Sequence, residues 1–191
     1  MVTDTIRSIK VRKLVVPFNI RPVAATGSMN DAPLVALDIE TDGGTVGRSY
    51  IWSFSPLFLA PLAATVESLG SMIIGDAVAP LTIESKLRSQ LRLIDTPGLI
   101  GLALAGIDMA VWDAHARQLN LPLFRVLGSE VTRVPAYNSC GLWIQDPATL
   151  ADQAQMLLDM HGFTAAKLRI GRADARDDLQ AIRLVLSLIH I

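Results

Sequence analysis

ALAGIDMAVWDAHARQLNLPLFRVLG, residues Ala103–Gly128, is the stretch on which the fold turns. It reads as the body of a long apolar helix that Pro97 opens and that runs to about Leu119. Gly101, Ala103, Ala105, Gly106 and Ala110 keep that helix slim, so a neighbouring backbone can approach it closely. Pro122–Leu127 adds a short helical turn, ended by Gly128.

Upstream, Leu57–Ile74 and Leu81–Ile94 carry apolar residues at helical spacing, separated by a break over Gly75–Pro80. Three strands precede them. Ile6–Pro17 interleaves Ile9, Val11, Val15 and Val16 with Arg7, Lys10, Arg12 and Lys13. Leu34–Thr41 is β-branched and apolar, and Asp42-Gly43-Gly44 supplies a tight turn into a partner strand over Thr45–Phe54. Phe18–Pro33, between the first two strands, has no periodicity, and a loop of 16 residues is usually functional or disordered.

Downstream of Gly128 the elements alternate. Val134–Ser139 reads as a strand. Asp146 is an N-cap with Pro147 at the first helical position, and Gly162 ends that helix. Phe163–Ile170 is a second strand, and Asp174 to about Leu186 a second helix. Strand, helix, strand, helix with short loops is the pattern of a parallel α/β sheet or barrel. The expected division is 1–128 for an α+β unit, a three-stranded antiparallel sheet with a helical bundle, and 129–191 for the first two βα units of a TIM-type barrel.

Composition narrows the function. Hydrophobic residues make up 51% and charged residues 18%, which argues for a large core and against disorder. With 17 Lys+Arg against 18 Asp+Glu there is no basic excess, so nucleic acid is not an expected partner. Cys140 is alone, which excludes an internal disulfide. The most apolar stretch, Phe54–Val66, is 13 residues long with two prolines, too short to cross a membrane. The N-terminus lacks the apolar core of a signal peptide. A cytoplasmic protein without a membrane partner is expected.

Lys167 and Arg169 are the candidate catalytic pair. At i and i+2 on a strand they point to one face, while Ala166, Leu168 and Ile170 take the other and can pack on helices. Two adjacent cations on a buried strand are costly without an anion to bind. The competing reading is an edge strand with a solvated face. Asn138 and Ser139 end the preceding strand and could bond a ligand or cap a turn. Asp108 and Asp113 are expected to pair locally, His115, His161 and His190 lack metal spacing, and Cys140 shows no sign of activation.

The Ala103–Gly128 stretch resembles the signature of the mandelate racemase and muconate lactonizing enzymes of the enolase superfamily. APLVALDI (Ala32–Ile39), VGRSYIWSF (Val46–Phe54) and GFTAAKLRIG (Gly162–Gly171) extend the resemblance over about Ile6–Ile182. It implies a capping domain followed by a modified TIM barrel, and abstraction of the proton α to the carboxylate of a small 2-hydroxycarboxylate. It also implies Mg²⁺ as cofactor and a homo-oligomer for the full-length parent. Lys167 falls on the first lysine of the family's Lys-x-Lys motif, near the substrate carboxylate. Phe18–Pro33 and Tyr50–Pro56 fall on its two lid loops. Val23, Met29 and Phe54, with Phe18, Ile20 and Trp52, make those loops apolar, which hints at an apolar part in the substrate; alternatively several of them pack inward. Ser139 completes the expected substrate contacts.

Two departures stand out. The second motif position, a lysine base in the mandelate racemase group, is Arg169 here. A guanidinium is a poor base near neutral pH, so this face loses its base, which suits an acid-sugar dehydratase better than a two-base racemase. A TIM barrel takes about 250 residues, and the 59 from Arg133 onward suffice for two of its eight units. The family's three acidic metal ligands end the third, fourth and fifth strands, so no metal ligand is expected here. Asp174, Asp177 and Asp178 are expected to face solvent at a helix start. The expectation is an N-terminal piece of a racemase or dehydratase, inactive alone. The alternative is a capping or oligomerisation module with no chemistry.

Overall fold

The computed structural model describes residues 4–94, 96–131 and 133–188. The expectations for His190, for the tail beyond 188 and for the His161 side chain lie outside the described residues. The chain divides into two compact units, Met1–Val16 with Ala32–Val131, and Pro17–Asp31 with Thr132–Ile191. The segment Pro17–Asp31 therefore groups with the C-terminal residues, not with the strands that flank it.

In the first unit, β1 (Ile6–Pro17), β4 (Asp31–Thr41) and β5 (Val46–Trp52) form a three-stranded sheet in the order β1-β4-β5. β4 and β5 pair antiparallel from Leu34–Trp52 to Glu40–Val46. The expected turn closes them, with Gly44 N–H donating to the Thr41 carbonyl at 3.0 Å. Strict alternation along β4 buries Val35, Leu37, Ile39 and Thr41 and turns Asp38 and Glu40 outward. Those carboxylates meet the cations of β1, Arg12 on Asp38 at 2.8 Å and Lys10 and Arg7 on Glu40.

Helices α1 (Leu59–Ser71), α2 (Pro80–Gln90), α3 (Leu99–Gln118) and α4 (Leu123–Val126) follow. α3 is the core helix: Ala103, Leu104, Gly106, Ile107, Ala110, Val111 and Ala114 are buried. Its small residues admit the sheet as expected. A methyl group at Gly47 would lie 2.1 Å from the Ala110 carbonyl oxygen. Among the described residues α3, not Phe54–Val66, is the helix long and apolar enough to cross a membrane by length and composition, at mean hydropathy 1.3. Its apolar residues line the core.

In the second unit, β2 (Val23–Ala24) and β3 (Gly27–Ser28) form a small antiparallel hairpin inside the segment read as a long loop without periodicity. α5 (Leu150–Asp159) and α6 (Ala175–Leu188) are the two expected helices. Asp146 caps the turn before α5, accepting the Ala148 N–H at 3.0 Å.

The two expected barrel strands need correction. Neither Val134–Ser139 nor Phe163–Ile170 is a continuous strand; they meet at a single parallel bridge, Asn138–Ala166. Pro135 removes one ladder donor. Downstream, Lys167 N–H bonds the Asn138 carbonyl, but Arg169 N–H bonds the Leu142 carbonyl, both at 2.9 Å. Two residues on one side thus span four on the other, and the bulge passes through Leu142 in a left-handed conformation, φ 54°. Leu142, Leu150, Ala154, Leu157 and Ala181 form this unit's core, with Ala166 and Leu168 packed against it.

Candidate functional site

The parity expected for Lys167 and Arg169 holds. Ala166 and Leu168 pack on the core of the second unit, so Lys167 and Arg169 share the opposite face. Ile170 does not follow its parity partners inward; it is 57% exposed. Each cation lies over an aromatic ring. Lys167 Nζ is 5.9 Å from the Tyr137 ring centre, and the Arg169 guanidinium carbon is 4.9 Å from that of Trp143. Both rings come from the bridged segment, one before and one after Asn138. Neither cation is paired with a carboxylate among the described ion pairs. Arg169 is half-buried and Lys167 exposed. A half-buried guanidinium that faces a ring and no carboxylate is available to an incoming anion.

Asn138 is taken up internally. It is 4% exposed, its amide donates to the Leu157 carbonyl at 3.0 Å, and its Oδ1 accepts the Cys140 N–H at 3.0 Å. The turn-capping reading is therefore the right one for Asn138. Ser139 beside it is half-buried, and Cys140 is a free, exposed thiol.

The β2–β3 hairpin carries Val23, and Met29 follows it. Ile144 N–H donates to the Val23 carbonyl at 3.0 Å, which ties the hairpin to the loop after the first segment. Gly171 meets it from the loop after the second: a methyl on Gly171 would lie 2.8 Å from the Ala25 methyl. The hairpin therefore docks at the C-terminal ends of both segments, the end where βα folds carry their ligands. Val23 and Met29 are half-buried there. Arg21 also bonds the Ser28 hydroxyl within the hairpin.

Phe54 belongs to the other unit. Its ring stacks on Trp52 at 4.8 Å, it is 61% exposed, and its φ is 59°. The strand expected to reach Phe54 ends at Trp52: Ser53 donates its N–H (3.0 Å) and its hydroxyl (3.2 Å) to the Pro33 carbonyl, but Pro33 has no N–H to return to the ladder.

Among the described residues, no group of three His, Cys, Asp or Glu could hold a metal ion. Asp113 pairs locally, accepting Arg117 at 2.7 Å and the Arg48 N–H at 2.8 Å. Asp108 lines a groove of about 440 Å³ between α2 and α3, and desolvation pushes its carboxyl above the ordinary range, with Glu84 adding repulsion. Asp178 corrects the expectation of a solvent-facing acid: its side chain is 16% exposed and accepts the Gly171 N–H at 2.8 Å and Arg172 Nη1 at 2.8 Å. Those donors, the Gly171 amide first, hold its carboxyl below the ordinary range. Sequence reading missed Arg172, Trp143 and Tyr137, although the i, i+6 spacing of Arg172 and Asp178 across a loop–helix junction was a usable signal.

The profile described as "Mandelate racemase / muconate lactonizing enzyme, N-terminal domain" matches residues 7–128. A 3,6-anhydro-alpha-L-galactonate cycloisomerase of Streptomyces coelicolor is 27% identical over 158 residues, 82% of this chain and 43% of that protein. An enolase from the alpha proteobacterium bal199, solved with bound Mg, superposes with a TM-score of 0.92 at 35% identity, over 99% of this chain and 53% of that one. An enolase from Bradyrhizobium, complexed with magnesium and mandelic acid, gives 0.89 at 31%, over 99% and 52%. The chain spans about half the length of the proteins it matches.

Proposed function

The chain belongs to the mandelate racemase / muconate lactonizing enzyme family, and from that premise we propose that its Lys167–Arg169 face receives the carboxylate of a small 2-hydroxy acid. The reaction is abstraction of the α-proton, in an enolase-superfamily racemase or acid-sugar dehydratase. The observation that carries the reading is the pair of cations on one face, each over an aromatic ring and neither on a carboxylate. The magnesium and mandelic acid of the Bradyrhizobium relative support the substrate class.

Within that reading, Arg169 is a fixed charge. Its guanidinium stays protonated, so it orients a carboxylate and stabilises negative charge that builds on the oxygen as the α-proton leaves. Lys167 supplies a second cation beside it. On this reading Ser139, half-buried on the adjacent segment, bonds the same oxygens, and the half-buried Val23 and Met29 meet the apolar part of the acid. Mg²⁺ is the family's metal. The described residues do not assemble a site for it, so no step is derived through it.

Titration of the ¹⁵N-labelled chain with mandelate tests this. Saturable shifts at the Lys167 and Arg169 amides are expected, weakened by about tenfold or more in Arg169→Ala, the loss of one charge-assisted hydrogen-bonding partner. An unmutated chain without shifts at these amides at millimolar mandelate refutes the reading and leaves the module without chemistry.

A further inference from the structure

Arg172 is the most buried cation of the described ion pairs, its side chain only 8% exposed. It touches three elements. Its Nη1 bonds Asp178 Oδ1 on α6 at 2.8 Å, and its Nη2 bonds the Gln145 carbonyl at 3.0 Å. Asp178 in turn accepts the backbone N–H groups of Gly171 (2.8 Å) and Arg172 (3.2 Å). One ion pair therefore joins the loop after the first segment, through Gln145, to the loop after the second, through Gly171–Arg172.

Those are the two loops that hold the β2–β3 hairpin. Ile144, next to Gln145, bonds the Val23 carbonyl, and Gly171 lies against Ala25. Gly171 has φ 114°, which an L side chain rarely adopts, and its N–H ends on Asp178. Buried pairs rarely add net stability, because desolvation offsets their attraction. This one also leaves the Arg172 Nε N–H buried with no partner. A pair that keeps an unpaired buried donor is poorly explained by stability alone.

We infer that Arg172 and Asp178 are a positioning pair that fixes the β2–β3 hairpin at the C-terminal end of the segment carrying Lys167 and Arg169, and so sets which acid fits there. Arg169 is three residues before Arg172, so the same clamp anchors the end of the segment that carries it. The specificity half of this inference rests on the carboxylate reading above; the clamp itself does not.

Amide hydrogen exchange on the whole chain separates the two. In Asp178→Asn, exchange at Ile144, Gly171 and Arg172 should rise about tenfold or more, the effect of weakening a charge-assisted bond, while α5 and α6 amides keep their rates. Arg172→Lys is the second variant. It retains a cation for Asp178 but cannot span to Gln145, so Ile144 should again exchange faster. Asp177→Asn, on the exposed neighbour, should change none of these rates. Unchanged exchange at Ile144 in both variants overturns the inference. A uniform rise across α5 and α6 also overturns it, because the pair then merely stabilises the unit. Mandelate added to the same samples reads the second half: the Arg172→Lys chain should bind with a raised Kd while Arg169 still responds. Absence of any mandelate response in the unmutated chain would defeat the carboxylate reading alone, with the exchange result still deciding the clamp.

Discussion

Gly106→Ala should destabilise the first unit, and the same substitution should stabilise it once Ile51 is shortened. Gly106 is buried on α3 against β5. A methyl there would lie 2.2 Å from Ile51 Cδ1 and 2.6 Å from its Cγ1, well inside contact distance. Ile51 is 4% exposed, so a shift of its side chain has to be made inside the packed core. Overpacking of this kind costs about 1–3 kcal/mol. Replacing glycine inside a helix returns about 0.5–1 kcal/mol, so the net loss centres on about 1 kcal/mol and reaches about 2.5 kcal/mol at most. Ile51→Ala alone should cost about 2–5 kcal/mol through its cavity, but it removes both clashing atoms. Gly106→Ala then gains the helix term and about 0.8 kcal/mol for a buried methyl, a gain of about 1.5 kcal/mol in all. The coupling between the two sites is thus about 3 kcal/mol, at the upper end for contacting residues. Urea unfolding followed by tryptophan fluorescence in a Trp143→Phe background measures it, with Trp52 and Trp112 reporting on this unit. Equal effects of Gly106→Ala in the two backgrounds would refute the packing argument.

The Glu40 carboxyl is held down to about 2, against an ordinary 4.5, by the Lys10 hydrogen bond first and then by Ser8 and Arg7. A carboxyl with a depressed folded pKa contributes stability above its unfolded value and loses it as pH falls toward the folded one. The urea midpoint of the unmutated chain should therefore fall more steeply between about pH 5 and pH 2.5 than that of Glu40→Gln; parallel curves would show that the pair contributes nothing. Asn138→Ala removes its bonds to the Leu157 carbonyl and the Cys140 N–H in the core, and should lower stability by about 1–3 kcal/mol, read as loss of α5 amide protection. In an intact full-length parent, Arg169→Lys should add α-deuterium incorporation into one enantiomer of mandelate in heavy water, because a lysine beside Lys167 can be tuned toward neutrality and an arginine cannot. Equal incorporation from both enantiomers by the unmutated protein would show Arg169 already serving as a base.

Periodicity made α3 and the β4–β5 hairpin readable, because both are local: a long apolar run with small residues, and Asp-Gly-Gly between two alternating strands. The shared face of Lys167 and Arg169 was readable too, since parity follows from spacing wherever the backbone is extended. The β2–β3 hairpin was not. Its two strands are two residues each, below any repeat, and its partners are Ile144 and Gly171, far along the chain. The bulge at Leu142 was equally hidden. A leucine in the left-handed region runs against its own propensity and is held by tertiary bonds, Gln153 to its N–H at 2.7 Å and Arg169 to its carbonyl. Asp178 was misplaced in solvent for a related reason: a first-turn acid fits the helix dipole, and only the fold reveals that Gly171 and Arg172 claim it instead.

These hidden elements bear on what Arg169 can do. Its N–H reaches Leu142 only because the facing segment bulges, and two residues beyond Leu142 Ile144 takes the hairpin carbonyl of Val23. Trp143, between them, presents its ring to the guanidinium at 4.9 Å. A planar cation keeps such a contact and its charge together, whereas an ammonium is a compact, strongly hydrated point charge. Replacing the family's lysine by arginine therefore exchanges a group whose proton can be withdrawn for one whose charge is permanent. On the carboxylate reading, this face holds and polarises the acid, and any proton abstraction must be assigned to a base on another element. On the same carboxylate reading, a single abstracting base would suit elimination of a β-hydroxyl better than two-sided exchange.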